Sequence, residues 1–287
     1  MNRTITFVGV VLVLATIGIP IYWPLKTSLS PPEEVWEVGI PKNPTLSNYI
    51  DILSSEIPKG RMSEVVGTFT VVSPSALNPL KNSILVATVT VALTLMVSSI
   101  AAYNLARFSY RGKRFVSLFV LFAYIFPPFM LMAPLMFILS KIGALNNLIA
   151  LSFVHLAYTV PFSTYMLRGY FLSIPRDLDE AAYVDGCSRL QVFLKIIMPL
   201  ALPGLVTVAV FSFVMSWGDV VFSLVVLQTG ENFTLPLYAS SYLWGWEITD
   251  PGGLSALAVI AGMIPVILFL SIQKFVRMGI LAGAVKA

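Results

Sequence analysis

Long apolar runs alternate with short polar segments along the chain. A membrane-spanning helix needs about 20 mostly apolar residues, and the runs of suitable length lie at about 5–25, 80–106, 115–140, 148–167, 200–227 and 254–275. Prolines at positions 127, 128 and 134 remove backbone donors from the third run and predict a bend there. The pattern therefore predicts an all-α integral membrane protein with about six transmembrane helices.

The first run, 5–25, has an alternative interpretation as a cleaved signal peptide that begins at the basic Arg3. No A-x-A cleavage pattern follows it, and Pro20 and Trp23 are typical of a membrane interface. We therefore expect this run to be retained as the first membrane-spanning helix.

The polar segments indicate their side of the membrane. Acidic residues outnumber basic ones in the proline-rich segment 26–79, whereas the second run is followed by a basic cluster that includes Arg107 and Arg111. Cytoplasmic loops carry an excess of Lys and Arg. We expect segment 26–79 outside, with a short helix near 46–53, and both termini in the cytoplasm.

No tandem repeat divides the chain, so we interpret residues 1–287 as one transmembrane domain. In this domain the first span is followed by the outside loop 26–79, then by five spans within 80–275 and by a cytoplasmic tail at 276–287. The loop between the fourth and fifth spans is cytoplasmic on the same charge argument.

That loop, 176–199, is the longest strongly polar stretch between two apolar runs. Leu178, Ala181 and Ala182 share a helical face at i, i+3 and i+4, and Gly186 then supplies the residue type that ends helices in a left-handed turn. A second short helix follows, with apolar residues at 190, 193, 194 and 197, and Pro199 is expected to close it. The spacing alone fits a solvated loop, but the two small alanines also suit insertion into a cleft, where nearby acids would pair with arginines.

The residues of this loop carry a specific resemblance. Glu180-Ala181-Ala182, three residues, Gly186, nine residues, Ile196 and Pro199 resemble the EAA loop of ABC importer permeases, E-A-A-x3-G-x9-I-x-L-P, with Met198 in place of leucine. The resemblance implies that the loop is a coupling helix that docks on an ATP-hydrolysing subunit. The residues to which it assigns this role are Arg176, Asp179, Glu180, Ala181, Ala182, Asp185 and Gly186.

Further stretches narrow the resemblance to the carbohydrate-uptake, maltose-transporter type. The stretches that carry it are 45–49 (TLSNY), 101–108 (AAYNLARF), 143–147 (GALNN) and 283–286 (GAVK). The resemblance implies a second, different permease, two ATP-binding subunits, an extracytoplasmic solute-binding protein and a sugar as solute. Polyols and glycerol phosphates are carried by similar permeases and stay as alternatives.

Composition and motifs exclude several other classes. Hydrophobic residues make up 57% of the chain and charged residues 11%, which is too little polar surface for a soluble domain of this size. The net charge of +4 comes from clusters beside apolar runs, which favours contact with lipid over binding to nucleic acid. No GxxxxGKS/T phosphate loop is present, so we expect ATP and Mg to bind a partner and no cofactor to bind this chain.

Catalytic and metal sites are also disfavoured. There is no HExxH or GxSxG motif, so an intramembrane enzyme is not expected, and the few intramembrane charges argue against a stand-alone carrier. The single cysteine, Cys187, cannot form an internal disulfide. We expect the single histidine, His155, to be packed and hydrogen-bonded rather than to bind a metal, since no ligand partner stands at suitable spacing.

One acid, Asp219, falls inside an apolar run, in a Trp217-Gly218-Asp219 stretch where the resembling family often has W-N-E. Two interpretations stay open: it lines the translocation path near its outer half, or it is an interfacial acid capped by backbone. Aromatic residues could stack on sugar rings in such a path. The candidate path residues are Tyr158, Phe162, Trp217, Gly218 and Asp219.

Overall fold

The structure is a computed structural model that describes residues 3–54, 75–241 and 250–284. The described residues form helices joined by turns, with no strand among them, which confirms the predicted all-α class. The helices are α1 Arg3–Ser28, α2 Ser47–Leu53, α3 Leu77–Arg107, α4 Lys113–Ile125, α5 Met132–Lys141, α6 Leu148–Ser173, α7 Asp177–Val184, α8 Arg189–Leu200, α9 Leu202–Trp217, α10 Val221–Val226, α11 Leu235–Ser241 and α12 Pro251–Ala284.

Within the described ranges, four helices contain an apolar stretch long enough to cross a membrane: Thr6–Ser28, Leu77–Arg107, Leu148–Ser173 and Pro251–Gln273. Two bent pairs, Lys113–Ile125 with Pro128–Lys141 and Arg189–Leu200 with Leu202–Trp217, raise the number to six if each pair is one span. The expected number of about six spans agrees with this upper value.

The third predicted span is sharply broken. Its two helices meet at 95°, and the break lies at Phe126 and Pro127, followed by a 3₁₀ turn at Pro128–Leu131. Proline donates no backbone hydrogen bond, and it disfavours helical geometry in the residue before it. The predicted bend is confirmed at the proline pair, whereas Pro134 lies within α5 without ending it.

The fifth predicted span, 200–227, was expected to continue as a straight helix past Asp219, and this expectation is wrong. Helix α9 ends at Trp217, and α10 begins only at Val221. The Asp219 carboxylate accepts hydrogen bonds from the backbone N–H groups of Phe222 and Ser223. Such side-chain capping satisfies the free donors of a helix start, so the acid begins a new helix instead of lying inside one.

The chain divides into two compact units, Met1–Lys81 with Thr229–Pro265, and Asn82–Gln228 with Val266–Ala287. The single-domain organisation over residues 1–287 stays a prediction. Part of the predicted outside loop 26–79, at 55–74, and the final residues of the 283–286 stretch lie outside the described residues.

In the first unit the end of α1 is joined to α2 by side chains. The Asn48 amide donates to the carbonyls of Ser28 and Ser30, and the Tyr49 hydroxyl donates to the Ser28 hydroxyl. The Lys26 ammonium donates to the backbone carbonyls of residues 34 and 35. The short helix expected near 46–53 is confirmed as α2, and the T-L-S-N-Y stretch serves here to hold it on α1.

The second unit has its core where α3, α6 and α9 meet the segment between α6 and α9. Helix α6 packs against α4 and α9. The buried members of the core are Ala102, Tyr103, Ala106, Leu167, Phe171, Ala182, Val192, Phe193, Ile197, Ala201 and Val208. Because four of these residues belong to 176–199, that predicted loop is part of the helical core rather than an appendage to it.

Candidate functional site

The loop 176–199 folds into the predicted helix, glycine turn and helix. Helix α7 ends at Val184, and Gly186, two residues later, has a φ of +82° in the left-handed region. The N–H of Gly186 donates to Tyr183 and that of Cys187 to Ala182. This is the Schellman pattern, which satisfies carbonyls at a helix end. The prediction that a glycine turn ends the first helix is confirmed.

A capping box begins α8. The Ser188 hydroxyl accepts from the N–H of Gln191, and the Gln191 side chain accepts from the N–H of Ser188. These reciprocal bonds satisfy donors that have no partner within the helix. The two caps leave only Gly186 to Ser188 to change the chain direction, so the angle between α7 and α8 is set by local hydrogen bonds.

A buried ion pair ties α7 to the end of α3. The Asp179 carboxylate lies 2.7 Å from Arg107 Nε, and the two side chains are 9% and 6% exposed. Arg107 also donates to the Ile174 carbonyl, and Arg176 donates to the Ala106 carbonyl. Burial raises the pKa of the Asp179 carboxyl above its ordinary value, and the charges of Arg107 and Arg176 oppose this shift. Asp179 therefore already has an arginine partner in its own chain.

The two alanines of the EAA stretch lie in different environments. Ala182 is buried in the core of the second unit, and Ala181 is exposed. Residues one apart on a helix point about 100° apart, so insertion into a cleft stays a prediction for Ala181, while Ala182 packs within this chain. The inward side of α7 is formed by Asp179 and Ala182, which stand three residues apart.

The outward side of the loop is unusually apolar for a polar segment. Val184 is 88% exposed and Leu190 65% exposed. We name the exposed apolar residues Leu178, Ala181, Val184 and Leu190 together the outer loop face. Glu180, Asp185 and Arg176 are exposed beside it. Sequence reasoning missed Val184, although its position three residues after Ala181 puts it on the same side of the helix.

A π turn and a bend connect the loop to α9. Phe193–Ile197 forms a π turn within α8, and α8 meets α9 at 77°. Pro199 lies inside α8, which ends one residue later, at Leu200. The Phe193 ring contacts the Tyr103 ring at 4.8 Å. This contact fixes α8 to the core.

The candidate path residues lie in different environments. Trp217 is buried and stacks on Phe213 at 5.4 Å, whereas Gly218 is exposed. Tyr158 stacks on Phe222 at 5.7 Å, and Phe162 contacts Phe211 at 3.8 Å. The contacts of Tyr158 and Phe162 with rings of the same chain are packing contacts, and both of these side chains are half-buried.

Asp219 has the backbone capping that the second interpretation predicts, and its place in the translocation path stays a prediction. Its carboxylate caps α10 through backbone N–H groups, and it also lies 3.3 Å from His155 Nε2. His155 is fully buried and lies 2.8 Å from the Ser216 hydroxyl through Nδ1. The expectation of a packed, hydrogen-bonded histidine is confirmed. Within the described ranges, His, Cys, Asp and Glu side chains form no group of three that could hold a metal ion.

These features define a multi-pass α-helical membrane protein with a two-helix loop built into its core. Three comparisons with known proteins place it more narrowly. The family model described as "Binding-protein-dependent transport system inner membrane component" matches residues 94–280. The chain belongs to this family of transport-system permeases.

Individual relatives and a solved structure are consistent with this family. The chain is 30% identical to the trehalose/maltose transport system permease protein MalG of Thermococcus litoralis, over 100% of this chain and 98% of that protein. It is 31% identical to the trehalose transport system permease protein SugB of Mycobacterium tuberculosis, over 93% and 92% of the two chains. A bacterial ABC transporter involved in import of the acidic polysaccharide alginate has the same fold, with a TM-score of 0.74 at 22% identity over 96% of this chain and 98% of that chain.

Proposed function

We propose that this chain forms half of the translocation pathway of an ATP-driven, binding-protein-dependent importer, and that its solute is a mono- or oligosaccharide. The names of the trehalose/maltose and trehalose permeases to which it is similar support a sugar. A phosphorylated solute such as glycerol phosphate would favour basic side chains in the path, and the candidate path residues include none. A neutral sugar is therefore the preferred solute, with a polyol as the alternative.

The proposed assembly contains a second, different permease, two ATP-binding subunits and an extracytoplasmic solute-binding protein. The family description supports the binding protein. ATP and Mg bind the ATPase partners, because this chain has no phosphate loop. This chain then acts in transport without an enzymatic activity of its own. Both termini and the loop 176–199 are proposed to be cytoplasmic and segment 26–79 outside, on the distribution of basic residues.

The outer loop face is the proposed contact with the ATPase. Contiguous exposed apolar residues on a soluble-facing segment are typical of protein interaction sites. Val184 and Ala181 supply the apolar contact, and Glu180 and Asp185 lie beside them for polar contacts with the partner. Asp179 and Ala182 act from the inner side, where they hold α7 on the core instead of contacting the partner.

One observation carries the coupling role: the inner side of the loop and three spans share a single core. Ala182, Val192 and Ile197 are buried together with residues of α3, α6 and α9. Close-packed interiors transmit displacement because they compress little. Movement of the ATPase against the outer loop face would therefore shift these spans and change which side the pathway faces.

The first experiment is to purify the tagged chain in mild detergent from its own membranes and to identify the co-purifying proteins by mass spectrometry. Recovery of an ATPase, a second permease and a binding protein is the expected result, and the ligand of that binding protein then identifies the solute. A chain that is recovered alone and still transports after reconstitution without ATP would be a stand-alone carrier, and the proposal would be wrong.

A charge reversal tests the contact surface. Glu180→Lys should leave the assembled amount of the chain unchanged and reduce ATP-dependent uptake about tenfold, since one reversed contact at an interface costs on the order of 1–3 kcal/mol. The matched control is Glu37→Lys, which makes the same charge change at an exposed residue of segment 26–54. Equal uptake by the two variants would remove Glu180 from the proposed interface.

A further inference from the structure

A buried polar stripe runs along α6. Ser152, His155, Thr159 and Ser163 recur at helical spacing, and all four are fully buried. The Thr159 hydroxyl lies 2.8 Å from that of Thr94 on α3. Buried polar groups are costly unless they are hydrogen-bonded, so the partners of Ser152, His155 and Thr159 show what the stripe holds in place.

His155 is the member that joins several elements of the fold. Its Nδ1 lies 2.8 Å from the Ser216 hydroxyl of α9, and the Ser216 and Thr90 hydroxyl oxygens are 3.3 Å apart. Its Nε2 lies 3.3 Å from Asp219 Oδ2. A carboxylate only accepts, so the Nε2 nitrogen of His155 carries the proton in this arrangement. One imidazole thereby connects α6, α9 and the turn that follows α9.

Asp219 in turn holds the start of α10. Its carboxylate accepts from the N–H of Phe222 at 3.2 Å, from the N–H of Ser223 at 2.8 Å and from the Ser223 hydroxyl at 2.9 Å. The other end of α10 is also fixed, because the Asn146 N–H donates to the Val226 carbonyl at 2.6 Å. Helix α10 is thus positioned at its start through the bond to His155 and at its end through Asn146.

From this geometry we infer that His155 is a positioning residue for transport. Its Nε2–H holds Asp219, and through Asp219 it keeps α10 against α6, with the Phe222 ring stacked on Tyr158. The inference rests on the proposed function, because it assigns the turn at 218–220 and these two rings to the translocation path. The family match and the EAA resemblance do not assign His155 a role.

The test compares two replacements of the histidine in the complete importer. His155→Gln keeps a donor near the position of Nε2, whereas His155→Leu has a similar volume and no donor. The expected maximal rate of uptake per assembled complex falls about tenfold in His155→Leu, since the lost bond is charge-assisted, and returns to within about threefold of wild type in His155→Gln. The KM for uptake should change little, because His155 positions the path without contacting the solute.

Thr159→Val is the matched control. It removes the buried hydrogen bond to Thr94 of α3 and the bond to the His155 carbonyl, and it leaves the His155 ring and Asp219 untouched. Uptake should stay within about twofold of wild type. If Thr159→Val and His155→Leu lose uptake equally, or if His155→Gln is as defective as His155→Leu, then His155 has only a packing role and the inference is wrong.

A second measurement does not depend on transport. Val226 is 1% exposed, so a thiol introduced by Val226→Cys should react slowly with a maleimide in the purified complex. Peptide mass spectrometry reads labelling at position 226 separately from Cys187. We expect about tenfold faster labelling with His155→Leu and near-wild-type labelling with His155→Gln. Unchanged labelling with His155→Leu would overturn the inference.

The two measurements also separate the inference from the proposed function. A wild-type complex that imports no sugar would contradict the proposed solute, while the labelling rates would still decide whether His155 holds α10. Should His155→Leu fail to assemble, Asp219→Asn replaces it. Asparagine still caps α10 but is a weaker acceptor for His155, so faster labelling is again expected and unchanged labelling again contradicts the inference.

Discussion

Two polar segments of the chain, 26–54 and 174–200, are stabilised by different kinds of contact. In 26–54 the side chains of Lys26 and Asn48 donate to backbone carbonyls of the same segment. In 174–200 the side chains reach distant helices, as Asp179 does through Arg107. The first segment is held at the ends of helices, through contacts with the end of α1, residues 75 and 76 and the start of α12, whereas the second is continuous with the core of its unit.

The two kinds of contact predict different effects on the membrane spans when each segment moves. A segment held by polar contacts at the ends of helices displaces few packed side chains when it moves. A segment whose residues Ala182 and Ile197 are packed among spans cannot move without displacing those spans. A permease that must convert the movement of a partner into the movement of helices needs the second arrangement where the partner binds. Breaking contacts in the two segments should therefore affect transport very unequally.

The largest expected effect comes from the buried ion pair. Asp179→Leu leaves Arg107 buried without a counter-charge, and loss of one partner of such a pair costs about 3–5 kcal/mol. We expect a lower thermal unfolding midpoint of the assembled complex and reduced uptake. The measurement is thermal unfolding in detergent, followed by uptake at a temperature where the variant is folded.

Two further variants complete this prediction. Glu180→Gln removes an exposed carboxylate from the same helix and should leave the midpoint close to that of wild type. Replacing both partners, Arg107→Met with Asp179→Leu, should recover part of the lost stability, because no charge is left buried. A double variant less stable than Asp179→Leu alone would contradict the proposed cause.

A smaller effect is expected from backbone strain introduced in each segment. Gly186 and Gly39 have φ values of +82° and +114°, and a Cβ atom at either would meet nothing within 4 Å. Valine at either position therefore costs about 1–2 kcal/mol through conformation alone. Because the strain is similar, the location of each glycine decides the outcome.

Gly186→Val should reduce ATP-dependent uptake about tenfold by changing the angle between α7 and α8. Gly39→Val should change uptake less than about twofold, although it carries comparable strain. Uptake per assembled chain and ATPase activity, measured in the same proteoliposomes, check both values. Equal losses at the two positions would mean that segment 26–54 is as closely coupled to transport as the loop.

Local features of the loop could be predicted from the sequence because they depend on near neighbours. The spacing of apolar residues and the single Gly186 predict a helix, a left-handed turn and a second helix, and all three are present. The apolar spacing groups Leu178 with the two alanines on one face of α7, whereas the structure buries Ala182 together with Asp179. The actual inner side depends on Arg107, a residue of a distant helix that no local pattern connects with Asp179.

The break in the fifth span also could not be predicted from the average hydrophobicity of the run. Continuous hydrophobicity over 200–227 predicts one helix, because two small interruptions at Gly218 and Asp219 hardly change the average. An acid followed by an apolar run is also a helix-start signal, and this signal would have placed the break correctly. The pairing of Asp219 with His155 joins the one histidine of the chain to the one acid of that run, although their positions in the sequence do not indicate that they meet.

The smallest expected effect is a pH dependence within segment 26–54. The Glu34 carboxylate accepts from the Asn43 amide at 2.9 Å and from the Lys42 N–H at 2.8 Å. Burial acts to raise its pKa, but the hydrogen bonds from Asn43 and Lys42 outweigh burial, and the pKa of Glu34 is lowered. A group whose pKa is lower in the folded state stabilises the fold above its unfolded pKa, about 4.3 for Glu. That stabilisation is lost as the pH falls through the folded value.

Glu34→Gln should therefore lower the thermal unfolding midpoint slightly at pH 7, and the difference from wild type should shrink below about pH 4. Glu37→Gln removes a neighbouring exposed carboxylate that lies 3.1 Å from Lys42, and it controls for the loss of one negative charge. Uptake at pH 7 should be near wild type in both variants, because the two carboxylates contact residues 42 and 43 and not a membrane span. A pH-independent difference for Glu34→Gln would show that the shape of the side chain, rather than its ionisation, holds residues 42 and 43 in place.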